Sequence, residues 1–531
     1  MVVFYNAKRD VTPVGSGFGF NSRHLPFVAG VILTLLGAIE AGAAVINVSS
    51  VSLTDVAAAV SAAGDGDTLM IPAGTATWTS GITINKAIKI IGAGSGAFIG
   101  HSETSQAIGT GSKTFTFTAR PGYTPTAGDT VRAIFPCNGS NFMQGTVTSF
   151  SGSTLVVNVT STGGTGSQPF WTFLTIPISI TTIVNSSNSG ALLNVNESVN
   201  GHVDISGIYF QASNSNGATP NGDNVEINYA SGGQAVLIHD CRSSVAGVGA
   251  YGFRSSTNRG VIYRCSFDSQ FQSIVGHNGL GWNDIGIGFI NFSDSTGSWS
   301  SNSTMGASDT TGLNNFYVED CYFAAMPIQA MDAGASARVV VRHCIFDNSG
   351  FTSHGADTGP LGLRYLEAYN NTLVFTSGGD SDGSKTLALN WFWLMRGGTA
   401  VITDNVLPAI SSTAWGVKGS VQMTVENVRR NAGPYPCWTT YPAPHQVGQG
   451  YISGLVTEPV YVWNNTGTAG NNVGLQDYNP DECGNNEQMS TFIQSGRDYI
   501  TGTAKPGYSK YTYPHPLVAQ SVTAPANLHV Q

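Results

Sequence analysis

The sequence predicts an all-β solenoid: a right-handed parallel β-helix with an N-terminal capping helix and a small inserted β module. Three observations predict it. The composition is poor in charge and rich in turn formers, a unit ending in Cys or Asn recurs along the chain, and a short helix precedes the first strands.

Charged residues make up 10% of the 531 and hydrophobic ones 41%, with 66 glycines. Such a chain is too weakly charged to stay disordered. Short β-branched strands between Gly and Asn turns are easier to build from it than long polar helices. The formal net charge of −9 comes without any Lys/Arg run, which argues against nucleic acid as a partner. An anionic polymer would need a local arginine cluster or a bound cation to approach such a surface. No calcium-loop motif or Cys/His metal spacing is present, so no metal ligands are assigned and the cofactor stays open, calcium included.

Near the N-terminus, Arg23 and His24 precede an apolar run from Leu25 to Gly37, followed by Ala41-Gly-Ala-Ala44. Basic flank, short apolar stretch and small-residue site are the order of a secretory signal, cleaved near Ala43 or Ala44. The run is short for a spanning helix and Glu40 interrupts it, so a membrane anchor is the lesser reading. The expectation is an exported protein, secreted or at the cell surface, with no stable membrane insertion after cleavage.

The repeat fixes the fold. It reads Val236-Leu-Ile-His-Asp-Cys241, Val261-Ile-Tyr-Arg-Cys265, Tyr317-Val-Glu-Asp-Cys321 and Val340-Val-Arg-His-Cys344. It continues as Leu366-Glu-Ala-Tyr-Asn-Asn371, Val401-Ile-Thr-Asp-Asn405 and Val460-Tyr-Val-Trp-Asn-Asn465. The Cys and Asn positions are spaced by 24, 56, 23, 27, 34 and 60 residues. These are one coil, two coils or a coil with a loop, for solenoid periods of about 20 to 50 residues. A corner after each strand turns the Cys or Asn inward, so that like residues stack in ladders. Four of the seven cysteines therefore read as packing groups, with reactive thiols as the rival reading. Cys437 and Cys483 lie outside the pattern and can pair in an oxidising compartment; Cys137 has no evident partner.

Ser52-Leu-Thr-Asp-Val-Ala-Ala-Ala-Val-Ser-Ala-Ala63 reads as an amphipathic helix, followed by Gly66-Asp-Thr-Leu-Met-Ile-Pro-Ala-Gly74 and Ile84-Asn-Lys-Ala-Ile-Lys-Ile-Ile-Gly92. This entrance resembles that of pectate-lyase-like β-helices, which implies that the helix plugs the first coil. Alternating strands at Gly128-Asp-Thr-Val-Arg132, Met143–Ser149, Ser153–Val159 and Trp171–Phe173 form a second unit. That unit resembles a small β module of phage tail proteins. The expected organisation is a signal over 1–44, a cap and first coils over 45–112, the module over 113–175, the β-helix over 176–470 and a C-terminal cap over 471–531.

From Met331 to Asn405, ionisable residues gather densely for so charge-poor a chain. His354 can serve as general base, with Arg364 and Arg396 neutralising a substrate carboxylate or developing enolate. That set suits β-elimination from a uronic-acid polysaccharide. Asp332 and Glu367 are alternatively the two carboxylates of a glycoside hydrolase. Arg338, Arg342 and His343 are candidate substrate-binding residues. Trp391 and Trp393 share strand parity, and either can stack on a sugar ring if it faces outward. Each has a plainer reading. Asp240, Arg264, Asp320 and His343 share a corner slot where opposite charges pair, Arg364 and Glu367 can pair across a coil, and Arg396 can bind carbonyls in its Gly-rich turn.

The pieces Asp332, Arg338–His343, His354-Gly355, Arg364, Glu367–Asn371, Arg396–Thr399 and Asp404-Asn405 resemble a group of exported bacterial β-helix proteins. The resemblance implies the fold and supplies no reaction. The chain lacks the Asn-Thr-Asp, Gly-His-Gly and Arg-Ile-Lys pieces of polygalacturonases, the Asp-Pro-His-Asp of alginate epimerases and the Trp-Ile-Asp-His of common pectate lyases. The functional expectation is an exported polysaccharide-active protein, first a lyase. Non-catalytic binding of a polysaccharide or cell-surface glycan and glycoside hydrolysis are the alternatives.

Overall fold

A computed structural model describes residues 42–521 except 97, 121–122, 136–139, 177–178, 188–189, 213–221, 246–249, 269–283, 290–298, 300–308, 325, 327–328, 358, 375–390, 410–420, 452–453 and 478–480. The expected signal segment up to residue 41, Cys137 and the end of the chain lie outside the described residues.

Each full coil adds a strand to three stacked sheets, here called A, B and C, of twelve, eight and ten described strands. Sheet A runs from Val45–Asn47 to Tyr499–Thr501, sheet B from Gly74–Trp78 to Thr372–Val374, and sheet C from Ile82–Ile84 to Val473–Leu475. Neighbouring strands pair in parallel and in register, as Val340 with Glu367 and Glu367 with Val401. This is a parallel β-helix.

The corner between sheets A and B explains the repeat. One residue there takes a left-handed backbone, with φ between 51° and 57° at Asp240, Arg264, Asp320, His343, Asn370, Asp404 and Asn464. Asn and Asp tolerate that conformation better than most side chains, and it swings the next residue inward. In the earlier coils that residue is a buried cysteine, whose sulfur lies 3.6–3.9 Å from a carbonyl oxygen of the coil before. In the later coils it is asparagine. Asn371 Nδ2 donates to Asn405 Oδ1 and Asn405 Nδ2 to Asn465 Oδ1, each at 2.9 Å, while the same oxygens accept the backbone N–H of the preceding ladder residue. Sheet B adds an inward aromatic stack, with Phe267, Phe323 and Phe346 ring centroids 5.1 and 4.8 Å apart.

Both ends are covered. The helix Leu53–Ala62 is N-capped by Ser52, whose hydroxyl accepts from Asp55 N, and it sets Val56, Ala59 and Val60 into the core. Lys86 Nζ donates to the carbonyls of Val60, Ser61 and Ala63, satisfying the helix C-terminus. At the other end Met489, Phe492 and Ile493 join the same core, and Cys437 is bonded to Cys483. A final strap, residues 505–518, runs back over the outer face of sheet A. There Tyr511, Leu517 and Val518 pack with Leu237, Val261, Tyr317 and Val340. Among the described residues no helix is long and apolar enough to cross a membrane.

The inserted module is a closed barrel of six strands from Phe98–Ser102 to Trp171–Thr175. Its first strand lies ahead of the boundary expected at 113. All five of that strand's residues are buried, so it carries no alternation to mark it. The barrel packs on the outer face of sheet B, where Phe98, Ile134 and Leu174 meet Tyr322, Ala324 and Ile345. Thr172 Oγ1 and Tyr322 OH both donate to Asp347 Oδ2 at 2.8 Å.

Candidate active site

Four successive coils bring ionisable side chains to one corner, where the chain leaves sheet C. Asp332 is the middle residue of Met331–Ala333; its neighbours face the core, so it faces out. His354 follows Phe351–Ser353 on the next coil, and Arg396 follows Trp393–Met395 on the one after. Glu426 and Arg430 follow Val421–Met423. Close backbone approach makes this stacking possible: a Cβ on Gly355 would lie 2.3 Å from the Arg396 carbonyl oxygen.

His354 is the centre of the group. Its Nε2 lies 3.2 Å from Asp332 Oδ2, and its Nδ1 lies 2.9 Å from Arg396 Nη2 and 3.6 Å from Asp357 Oδ2. Arg396 Nη1 in turn meets Glu426 Oε1 at 2.8 Å and Asp357 Oδ2 at 3.3 Å, and its Nε donates to the Ser353 carbonyl. Arg430 adds contacts to Glu426 at 3.1 Å and Asp357 at 3.4 Å. Asp332, Asp357 and Arg396 are buried, whereas the His354 side chain is 19% and that of Arg430 29% exposed. The network therefore reaches solvent through those two groups. Asp332 Oδ1 is buried and finds no hydrogen-bond partner among the described residues.

Burial and the Arg396 guanidinium push the His354 imidazole down, and the Asp332 and Asp357 carboxylates outweigh both and hold it at about 9. Burial acts against ionised Asp357, but Arg396 and His354 hold its carboxyl well below the usual range. Burial pushes Glu426 up. In the neutral ring Nδ1 accepts from Arg396 while Nε2–H donates to Asp332. Protonation turns Nδ1 into a donor whose remaining acceptor is Asp357.

The structure thus brings together Asp332, His354 and Arg396 and sets the other expected residues elsewhere. Arg338, Arg342, His343, Arg364 and Glu367 belong to sheet A or its approaches. Glu367 lies beneath the strap, accepting from Tyr365 OH and, at 2.8 Å, from Tyr508 OH. Burial, opposed by those two hydrogen bonds, raises its carboxyl to about 7. Asp332 and Glu367 face out from different sheets and flank no common cleft. Arg364 pairs with Glu458 at 3.1 Å rather than with Glu367. Arg338 is buried, its backbone N–H donating to Asn258 Oδ1. Arg342 is fully buried against Glu319, and His343 is a left-handed corner whose ring stacks on Tyr513. The two tryptophans offer no open platform. Trp393 packs in the core against Phe346 and Phe351, and Trp391 is buried beside Leu394 with its Nε1 donating to Thr352.

Sequence reasoning missed Asp357, Glu426 and Arg430, which complete the network. Asp357 and Arg430 sit on loops and Glu426 opens the short 3-10 helix Glu426–Val428, at unequal distances after their sheet C strands, so no fixed spacing marks them. Among the described residues no group of three or more His, Cys, Asp or Glu side chains is arranged to hold a metal ion.

No protein-family model and no curated protein matches this chain. Among solved structures it is similar to the tailspike protein gp49 of Pseudomonas phage LKA1, at 16% identity and TM-score 0.19, over 66% of this chain and 64% of that one. It is also similar to the tailspike gp61 of Pseudomonas phage phi297, at 15% identity and TM-score 0.19, over 67% and 66%. An alginate lyase from Paenibacillus sp. str. FPU-7 matches at 11% identity and TM-score 0.29, over 82% and 98%. The chain thus spans just under two thirds of either tailspike. The parallel register of the three sheets, not these likenesses, establishes the β-helix.

Proposed function

We propose that this chain acts on an acidic polysaccharide by β-elimination, with His354 as general base. One observation supports the reading above others: His354 is where a buried, coil-spanning charge network opens to solvent, held by Asp332 on one side and Arg396 on the other. Asp332 fixes the ring through Nε2, which leaves Nδ1 as the basic nitrogen. A uronate carboxylate competing for Arg396 frees Nδ1 to take the proton α to that carboxylate. The C–H pair becomes the new C=C bond, and the glycosidic oxygen leaves and is protonated by water.

The test incubates the full protein with acidic and neutral polysaccharides, with and without calcium, following unsaturated-uronate absorbance and reducing ends together. A rise in both supports elimination, and His354→Ala then abolishes it while the protein stays folded. Full activity in His354→Ala would overturn the role of His354.

A second reading, non-catalytic glycan binding, is favoured by one specific observation. Arg396 is buried and already held by Glu426, Asp357 and the Ser353 carbonyl, as expected of a clamp between coils. Silence in both signals across a broad panel would favour it.

A further inference from the structure

We propose a second site, a binding pocket for a carboxylated sugar residue, between the inserted barrel and the outer face of sheet B. The barrel meets sheet B tightly over its later coils, through Phe98, Ile134 and Leu174 against Tyr322 and Ile345. Towards the earlier coils the two surfaces part and leave a cavity of about 420 Å³. That volume lies within the usual range for small-ligand pockets, roughly 300–1,000 Å³. One wall is tied to the corner that enters sheet B, where Ser95 Oγ donates to the Asp240 carbonyl at 2.6 Å and Phe98 N to Ser266 Oγ at 2.8 Å.

The floor comes from two register rows of sheet B. Thr182, Tyr209 and Arg242 stack on successive coils in one row, and Gln211 and Asp268 line the other side. The roof is Arg132 with Ile134, Leu174 and Ile176. Polar floor and apolar roof together suit a pyranose, which presents hydroxyls at its rim and C–H groups on its faces.

Charge selects the acid. Arg242 is neutralised by Asp268 at 3.0 Å and stacks over Tyr209, its guanidinium 4.5 Å from the ring centroid. Arg132 has no carboxylate partner among the described residues; its Nε and Nη2 both donate to the neutral Gln144 Oε1 at 2.9 and 2.6 Å. One positive charge in the cavity is thus uncompensated, in a chain whose formal net charge is −9. Burial, and then the neighbouring Arg242, make that charge harder to hold on Arg132. A ligand carboxylate beside Arg132 supplies the counter-charge that the neutral Gln144 does not.

This site lies on sheet B, apart from the His354 corner on sheet C, and does not depend on elimination chemistry. The test is saturation-transfer NMR on the full chain with D-glucuronate, its methyl ester and D-glucose. Glucuronate binds, and the two neutral sugars bind at least about tenfold more weakly. Arg132→Gln weakens glucuronate by about tenfold, and Arg132→Lys restores part of the loss. Unaltered binding in Arg132→Gln, equal binding of glucose, or no glucuronate binding would each overturn the site. Binding lost in His354→Ala but kept in Arg132→Gln would overturn it while leaving the His354 reading intact.

Discussion

Glu319 and Arg342 occupy adjacent coils of sheet A, paired in register, and form an ion pair of 2.7 Å in which neither side chain is exposed. The pair is interior only because the strap covers it. His515 N donates to Glu319 Oε1 at 3.0 Å, and Arg342 Nη1 reaches Tyr369 OH and the Tyr511 carbonyl. Arg342→Ala leaves an uncompensated buried carboxylate and should cost about 3–5 kcal/mol. Denaturant unfolding checks this, and a loss below about 1 kcal/mol would mean that water reaches Glu319.

Glu367 predicts a pH dependence of stability. Its folded carboxyl sits at about 7, above the ordinary 4.5, so the folded state holds the proton more tightly. The stability this contributes is fully present below 4.5 and is lost as pH rises through about 7. The loss amounts to about 3 kcal/mol at most. In Glu367→Gln, thermal melts should be flatter across that window, and an unchanged slope would place the loss elsewhere.

His354 predicts a second, higher window. With a folded value of about 9 against 6.5, its contribution is complete below 6.5 and disappears as pH rises through 9. Deprotonation makes the general base as it removes this stability, so activity should climb where stability falls. NMR titration of the His354 ring should give a midpoint near 9. A midpoint at or below 6.5 would show that the Arg396 contact to Nδ1 dominates.

The asparagine ladder is the third region to test. Asn405→Ala removes the acceptor for Asn371 N and Nδ2, both in buried hydrogen bonds of 2.9 Å. It should cost about 2–4 kcal/mol, because Asn371 N and one Nδ2–H are left buried without an acceptor, while the other Nδ2–H keeps the Val341 carbonyl. Asn405→Cys, which restores the side chain of the earlier coils, should recover only the packing part.

The sheet A corner was legible because a left-handed residue followed by an inward Cys or Asn leaves the same print in every coil. Strands of three residues in sheets B and C leave almost none, and the barrel's first strand was invisible for want of an exposed face. His354, Asp332 and Arg396 stood out because charge is scarce in this chain. The same scarcity drew attention to Arg342 and Glu367, whose burial is decided by a strap distant in sequence. His515 lies 196 residues beyond Glu319, its partner, and no local pattern reports such a contact.

The strap also orders events in time. As the chain leaves the ribosome, each coil can settle on the one before it, while Tyr508, Tyr511 and His515 are still to be made. Until they arrive, Glu319, Arg342 and Glu367 face water, and beside them the apolar row of Leu237, Val261, Tyr317 and Val340 lies open as well. A nascent solenoid of this kind grows with a mixed face of charges and apolar side chains in the open, and a segment made long after them turns that face into interior.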